Sequence, residues 1–110
     1  MMNQDTVRCI KAHELSKLIA ERADIAIVDV REVDETDICS IGGKNIPLGQ
    51  IDIKANEIPR DKQVIIHCKS GKRGEMAVLF LQQNHQFTNL YNLEGGILSF
   101  TDLDPSLTIY

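Results

Sequence analysis

The chain has 110 residues, 43% hydrophobic and 25% charged, which suits one domain built around one core. Its net charge of −4 argues against a general nucleic-acid or anionic-membrane surface, because both select a basic face. No apolar run reaches the length of a membrane span, and MMNQDTVRCIKAHE lacks the basic-then-apolar order of an export signal.

Thr6–Ile10 alternates weakly and predicts a short first strand. Residues 12 to 22, AHELSKLIAER, place Ala12, Leu15, Leu18 and Ile19 at helical spacing. Ile25–Val30 is a short apolar run suited to a strand buried on both faces. Residues 31 to 45 read as irregular, acidic first and then Ser-Ile-Gly-Gly, and Ile46–Pro47 reads as extended because the residue before proline avoids the helical region. Residues 50 to 57 suit a short helix that stops near Pro59. Val64–His67 is a second buried strand. Gly74–Asn84 follows as a helix with Met76, Ala77, Phe80 and Leu81 on its apolar face and Asn84 placed to cap it. Asn89–Leu93 predicts another strand, Gly95-Gly96 a turn, and Ile97–Leu103 a last short helix. Strands alternating with helices predict a single α/β domain over residues 1–110. Its expected core is a central parallel sheet of about five strands flanked by helices on both faces. Sites in such sheets lie beyond the carboxyl ends of the strands, where Cys68 is expected.

The three cysteines, Cys9, Cys39 and Cys68, are odd in number and contain no CxxC. With no export signal, that predicts reduced thiols in the cytoplasm, with neither a disulfide framework nor a metal site. Cys68 is the one with a distinctive setting. The stretch VIIHCKSGKRGEMAVLFLQQ runs from buried strand to cysteine, then through a Gly-containing cationic loop into a helix. Such a curl aims successive N–H groups at one anion-sized spot, and the positive end of the helix points the same way. Lys69, Lys72 and Arg73 add positive charge, Ser70 and Gly74 complete the loop, and Gly71 permits the tight turn. Each feature favours negative charge on the cysteine sulfur. The plainer reading is a buried structural cysteine beside a solvated basic turn.

Two enzyme classes use such a loop. Cysteine phosphatases place five residues between the cysteine and an arginine whose fork clasps two phosphate oxygens; here Arg73 comes one residue early. A tighter ring suits a single sulfur atom carried on the cysteine.

HCKSGKR followed by a helix resembles the active loop of the rhodanese, or sulfurtransferase, family. IVDVRE looks like that family's Asp-x-Arg segment, NIP like its Asn-Ile-Pro, and NLYNLEGGILSF like its closing strand, Gly-Gly turn and helix. DICSIGGKNIPLGQI and DPSLTIY are similar to the rhodanese domain fused behind adenylating enzymes that activate ubiquitin-like sulfur carriers; here the domain is expected to stand alone. The chain departs from the family pattern at Gly74, where a small polar residue is usual, at Phe100 in place of Trp, and at His85 near a usual Gly. The first departure implies a loop held less firmly.

The resemblance implies sulfur transfer. Cys68 would take the outer sulfur of an anionic donor such as thiosulfate as a persulfide, and an acceptor would remove it. That acceptor would be cyanide in the test tube, and a sulfur-carrier protein or a low-molecular-weight thiol in the cell. Loop N–H groups from about Lys69 to Gly74 would stabilise the persulfide, and the three cations would attract the donor. No cofactor is implied, and the chain is expected to be a monomer. A non-catalytic regulatory module of the same family and a phosphatase or arsenate reductase are the alternatives.

Other residues have plainer expected roles. His67 precedes the nucleophile but points to the opposite face, so it is expected to pack or orient rather than act as a base. Asp29 and Arg31 are expected to form a structural ion pair. Cys39 reads as a partly buried loop cysteine, and Cys9, alternating with Val7, as core. Asp34, Glu35 and Asp37 read as a solvated acidic turn.

Overall fold

A computed structural model describes residues 6–101 and Leu103. DPSLTIY therefore lies outside the described residues. Five parallel strands form one sheet in the order β1-β5-β4-β2-β3. They are β1 (Cys9–Ile10), β2 (Ile25–Asp29), β3 (Lys44–Asn45), β4 (Gln63–His67) and β5 (Leu90–Leu93). β4 lies at the centre, which is why Val64, Ile65 and Ile66 are apolar without alternation: all three have no exposed surface.

Helices cover both faces. On one, α3 (Lys72–His85) packs Ala77, Val78 and Leu81 against Val64, Ile66 and Cys68. On the other, α1 (Ala12–Ala20) and the 3-10 turn Gly96–Phe100 bring Leu15 and Phe100 against Ile65 and Leu93. Burying one such aliphatic side chain contributes roughly 1.5–3 kcal/mol, and here the two clusters lock the sheet from both sides. Among the described residues no helix is long and apolar enough to cross a membrane.

The structure corrects several sequence expectations. The segment read as irregular contains α2 (Val33–Ile38) and the short β3. α2 was illegible because it buries no side chain, so it carries no apolar stripe for periodicity to register. Its acidic residues are thus helical rather than a loose turn. The helix expected over residues 50 to 57 is instead two 3-10 turns, Leu48–Gln50 and Ala55–Glu57. α3 starts two residues earlier than expected and runs past Asn84. It is Gln86 that takes the left-handed conformation ending it, with φ 56°. Met76 and Ile19 fall outside the buried stripes of their helices and are exposed. Cys9 is exposed rather than core, since it lies on the two-residue edge strand at the sheet margin.

Candidate active site

Cys68 follows the last residue of β4, and β4 pairs in register with β2 so that His67 lies beside Asp29. The chain then turns at Gly71, whose φ of +111° is one that side chains resist, and α3 begins at the next residue. The turn brings two N–H groups onto the cysteine sulfur. Gly71 N–H donates to Sγ at 3.1 Å and Gly74 N–H at 3.3 Å. The positive end of α3, a 14-residue helix, points at the same atom. Cys68 itself is 1% exposed, so only a slender group reaches its sulfur.

The N–H groups face inward because the carbonyls are drawn outward. Ile97 N–H donates to the Cys68 carbonyl at 2.8 Å and Leu98 N–H to the Lys69 carbonyl at 3.1 Å. Asn92, on β5, donates its Nδ2 to the Gly71 carbonyl at 3.1 Å. The bracing by Asn92 bears on the expectation of a loosely held loop. A Cβ on residue 74 would overlap Asn92 Oδ1, so Gly74 is what admits this amide, and the amide holds the loop. Nothing in the sequence marks Asn92 beyond its being a polar residue inside an apolar strand.

The remaining predicted residues divide into two groups. Asp29 and Arg31 are both buried and form an ion pair, with Arg31 Nη2 2.8 Å from Asp29 Oδ2. Arg31 Nη2 also donates to the Cys39 carbonyl at 2.7 Å, which ties the end of α2 to the sheet. His67 is fully buried, with Nε2 3.7 Å from Asp29 Oδ2. Burial lowers its pKa against the opposing pull of Asp29, which favours the neutral ring. By strand alternation its side chain shares a face with Ile65, away from the Cys68 cluster.

Lys69 and Lys72 form no ion pair among the described residues, and Ser70 is exposed. Arg73 differs. Its guanidinium grips Glu35 of α2 with both arms, Nη1–Oε1 at 2.6 Å and Nη2–Oε2 at 3.0 Å. The expected donor-attracting cation is therefore already occupied. The hydrogen bond from Arg73 is the main reason the Glu35 carboxyl titrates at about 2 rather than 4.5, with the Glu32 N–H and the Arg31 charge adding to it. The sequence alone predicts a solvated acid at Glu35. Its one local signal is the spacing Glu32…Glu35, in which Glu35 Oε1 accepts the Glu32 N–H at 3.0 Å and starts α2.

Because Glu35 has a depressed folded pKa, the pair stabilises the fold fully above about pH 4.5 and progressively less as pH falls toward about 2. Both side chains are partly solvated, so the contribution is about 1 kcal/mol. In pH-dependent denaturation, wild type should exceed Glu35→Gln in stability at pH 6, and the gap should close by pH 2. A gap independent of pH would mean the carboxylate charge is not what matters.

The family model for the rhodanese-like domain matches residues 11–103 of this chain. The chain belongs to the rhodanese family. Among related proteins, a sulfurtransferase of Allochromatium vinosum is 34% identical over 83% of this chain and 85% of its own length. A probable adenylyltransferase/sulfurtransferase, MoeZ, of Mycobacterium tuberculosis is 28% identical over 92% of this chain, which spans 26% of that protein. A solved rhodanese-related protein of Thermoplasma volcanium is 32% identical, with a TM-score of 0.79, covering 94% of this chain and 99% of that one. The five-stranded parallel sheet with helices on both faces is thus the rhodanese-like fold.

Proposed function

We propose that this rhodanese-family chain is a sulfurtransferase that carries a sulfane sulfur as a persulfide on Cys68. The observation that carries the reading is the pair of N–H groups, from Gly71 and Gly74, aimed at the Cys68 sulfur. The donor is an anion such as thiosulfate. The Cys68 thiolate attacks the outer sulfur of thiosulfate, the sulfur–sulfur bond of the donor breaks, and its electron pair leaves on sulfite. The transferred sulfur now bears the negative charge and lies within the cradle of N–H groups and helix dipole. An acceptor nucleophile then attacks that outer sulfur, and the electron pair of the persulfide bond returns to Cys68. Lys69 and Lys72 draw the anionic donor to the loop mouth. Asp29, Arg31 and His67 support the sheet edge and do not meet the sulfur.

The acceptor is a sulfur-carrier protein. Its support is the resemblance of DICSIGGKNIPLGQI to domains fused behind adenylating enzymes, together with the adenylyltransferase/sulfurtransferase named among the relatives. A low-molecular-weight thiol is the competing acceptor.

Intact-protein mass spectrometry after thiosulfate treatment should record a gain of one sulfur that cyanide removes. Protein that gains nothing, yet hydrolyses an aryl phosphate, would replace this reading with the phosphatase one. With radiolabelled sulfur on Cys68, an adenylated Gly-Gly-ending carrier and glutathione are then offered in parallel. Label that passes only to glutathione would remove the carrier from the proposal and leave sulfur transfer intact.

A further inference from the structure

We propose that Glu35 is a specificity residue, whose carboxylate fills the Arg73 fork and so denies it to tetrahedral oxyanions. The inference rests on Cys68 being the reacting atom, as proposed above. Arg73 is the sixth residue of a loop that curls around the Cys68 sulfur, and it sits on the first turn of α3. It lies between Gly71 and Gly74, whose N–H groups reach the Cys68 sulfur at 3.1 and 3.3 Å, so its side chain leaves the backbone of the cradle itself. A guanidinium beside a nucleophilic thiolate is the group that clasps phosphate or sulfate through two parallel hydrogen bonds. Here both arms end on Glu35 oxygens instead.

The arrangement has little to do with core packing. α2 has no buried side chain, and the pair is partly solvated, with side-chain exposures of 33% for Arg73 and 24% for Glu35. Its consequence is chemical. The loop keeps two flexible ammonium groups, Lys69 and Lys72, which attract an anion as point charges without fixing its oxygens. An anionic donor is drawn in, its outer sulfur reaches Cys68, and the departing sulfite finds no fork to retain it. Glu35 thus separates attraction from retention.

The test uses inorganic sulfate as an inert probe and the alkylation rate of Cys68 by iodoacetamide, read by peptide mass mapping. Exposed Cys9 in the same molecule serves as the internal reference. In Glu35→Gln the freed fork should bind sulfate, so the half-protective concentration should fall at least about tenfold below that of wild type. In Glu35→Gln with Arg73→Lys, positive charge is kept and the fork is lost, and protection should return to within about twofold of wild type. Equal protection in wild type and Glu35→Gln overturns the proposal. Protection that persists in the double variant also overturns it, since charge alone would then explain the effect. Alkylation needs no sulfur-transfer activity, so a chain that forms no persulfide would sink the function proposed above while this measurement still decides the role of Glu35.

Discussion

Cys68→Ser is expected to lose sulfur transfer by a factor on the order of a thousand or more. The substitution is nearly isosteric. A serine hydroxyl would still receive the Gly71 and Gly74 N–H groups that now point at Sγ, so the buried position stays hydrogen-bonded and the fold is retained. What disappears is the nucleophile, because a hydroxyl does not ionise in this pH range and forms no persulfide. Intact-protein mass spectrometry after thiosulfate should record the sulfur gain in wild type and none in the variant. Cys9→Ser and Cys39→Ser serve as controls and should retain most of the activity. Cys9 lies exposed at the sheet margin, and Cys39 is buried at the end of α2, where its backbone carbonyl accepts a hydrogen bond from Arg31. If Cys39→Ser proved as inactive as Cys68→Ser, the assignment of the carrier cysteine would fail.

Gly96→Ala is expected to damage both stability and transfer, although residue 96 carries no chemistry. Its φ is +62°, and a Cβ there would overlap the Lys69 carbonyl and crowd that of Cys68. Those two carbonyls accept the Leu98 and Ile97 N–H groups, at 3.1 and 2.8 Å, that pull the loop backbone outward. Backbone cannot yield as a long side chain can, so the added methyl should separate the 3-10 turn from the loop. The expected cost is roughly 2–4 kcal/mol, combining backbone strain with lost hydrogen bonds. Sulfur transfer should fall by at least about tenfold even where the variant remains folded, because the N–H groups no longer converge. Gly42→Ala makes the comparison clean. That residue also has positive φ, +92°, but an added Cβ meets nothing within 4 Å. It should lose only about 1 kcal/mol from strain and keep its activity. Urea denaturation and the rate of persulfide formation decide the matter. Equal behaviour of the two alanine variants would mean the 3-10 turn does not hold the loop.

The alternation of strands and helices, the buried centre strand and the cysteine loop were legible in the amino-acid sequence because each is a local pattern. Val64, Ile65 and Ile66 announce a strand covered on both sides, and they have no exposed surface. The order cysteine, Gly71 and helix start already implies N–H groups turned toward the sulfur, since a chain leaving a strand for a helix in so few residues has little other way to turn. Which loop groups remain available depends on contacts between distant segments. Arg73 and Glu35 are 38 residues apart, and Asn92 and Gly71 are 21 apart. No periodicity links residues so separated. The short α2 was invisible for a related reason: it buries nothing, and polar contacts to the sheet and loop hold it instead. The order of strand, cysteine, Gly71 and helix start is enough to place a thiol at the positive end of a helix. Only the folded chain determined that the neighbouring guanidinium is already engaged, because that depends on a carboxylate brought across from another element.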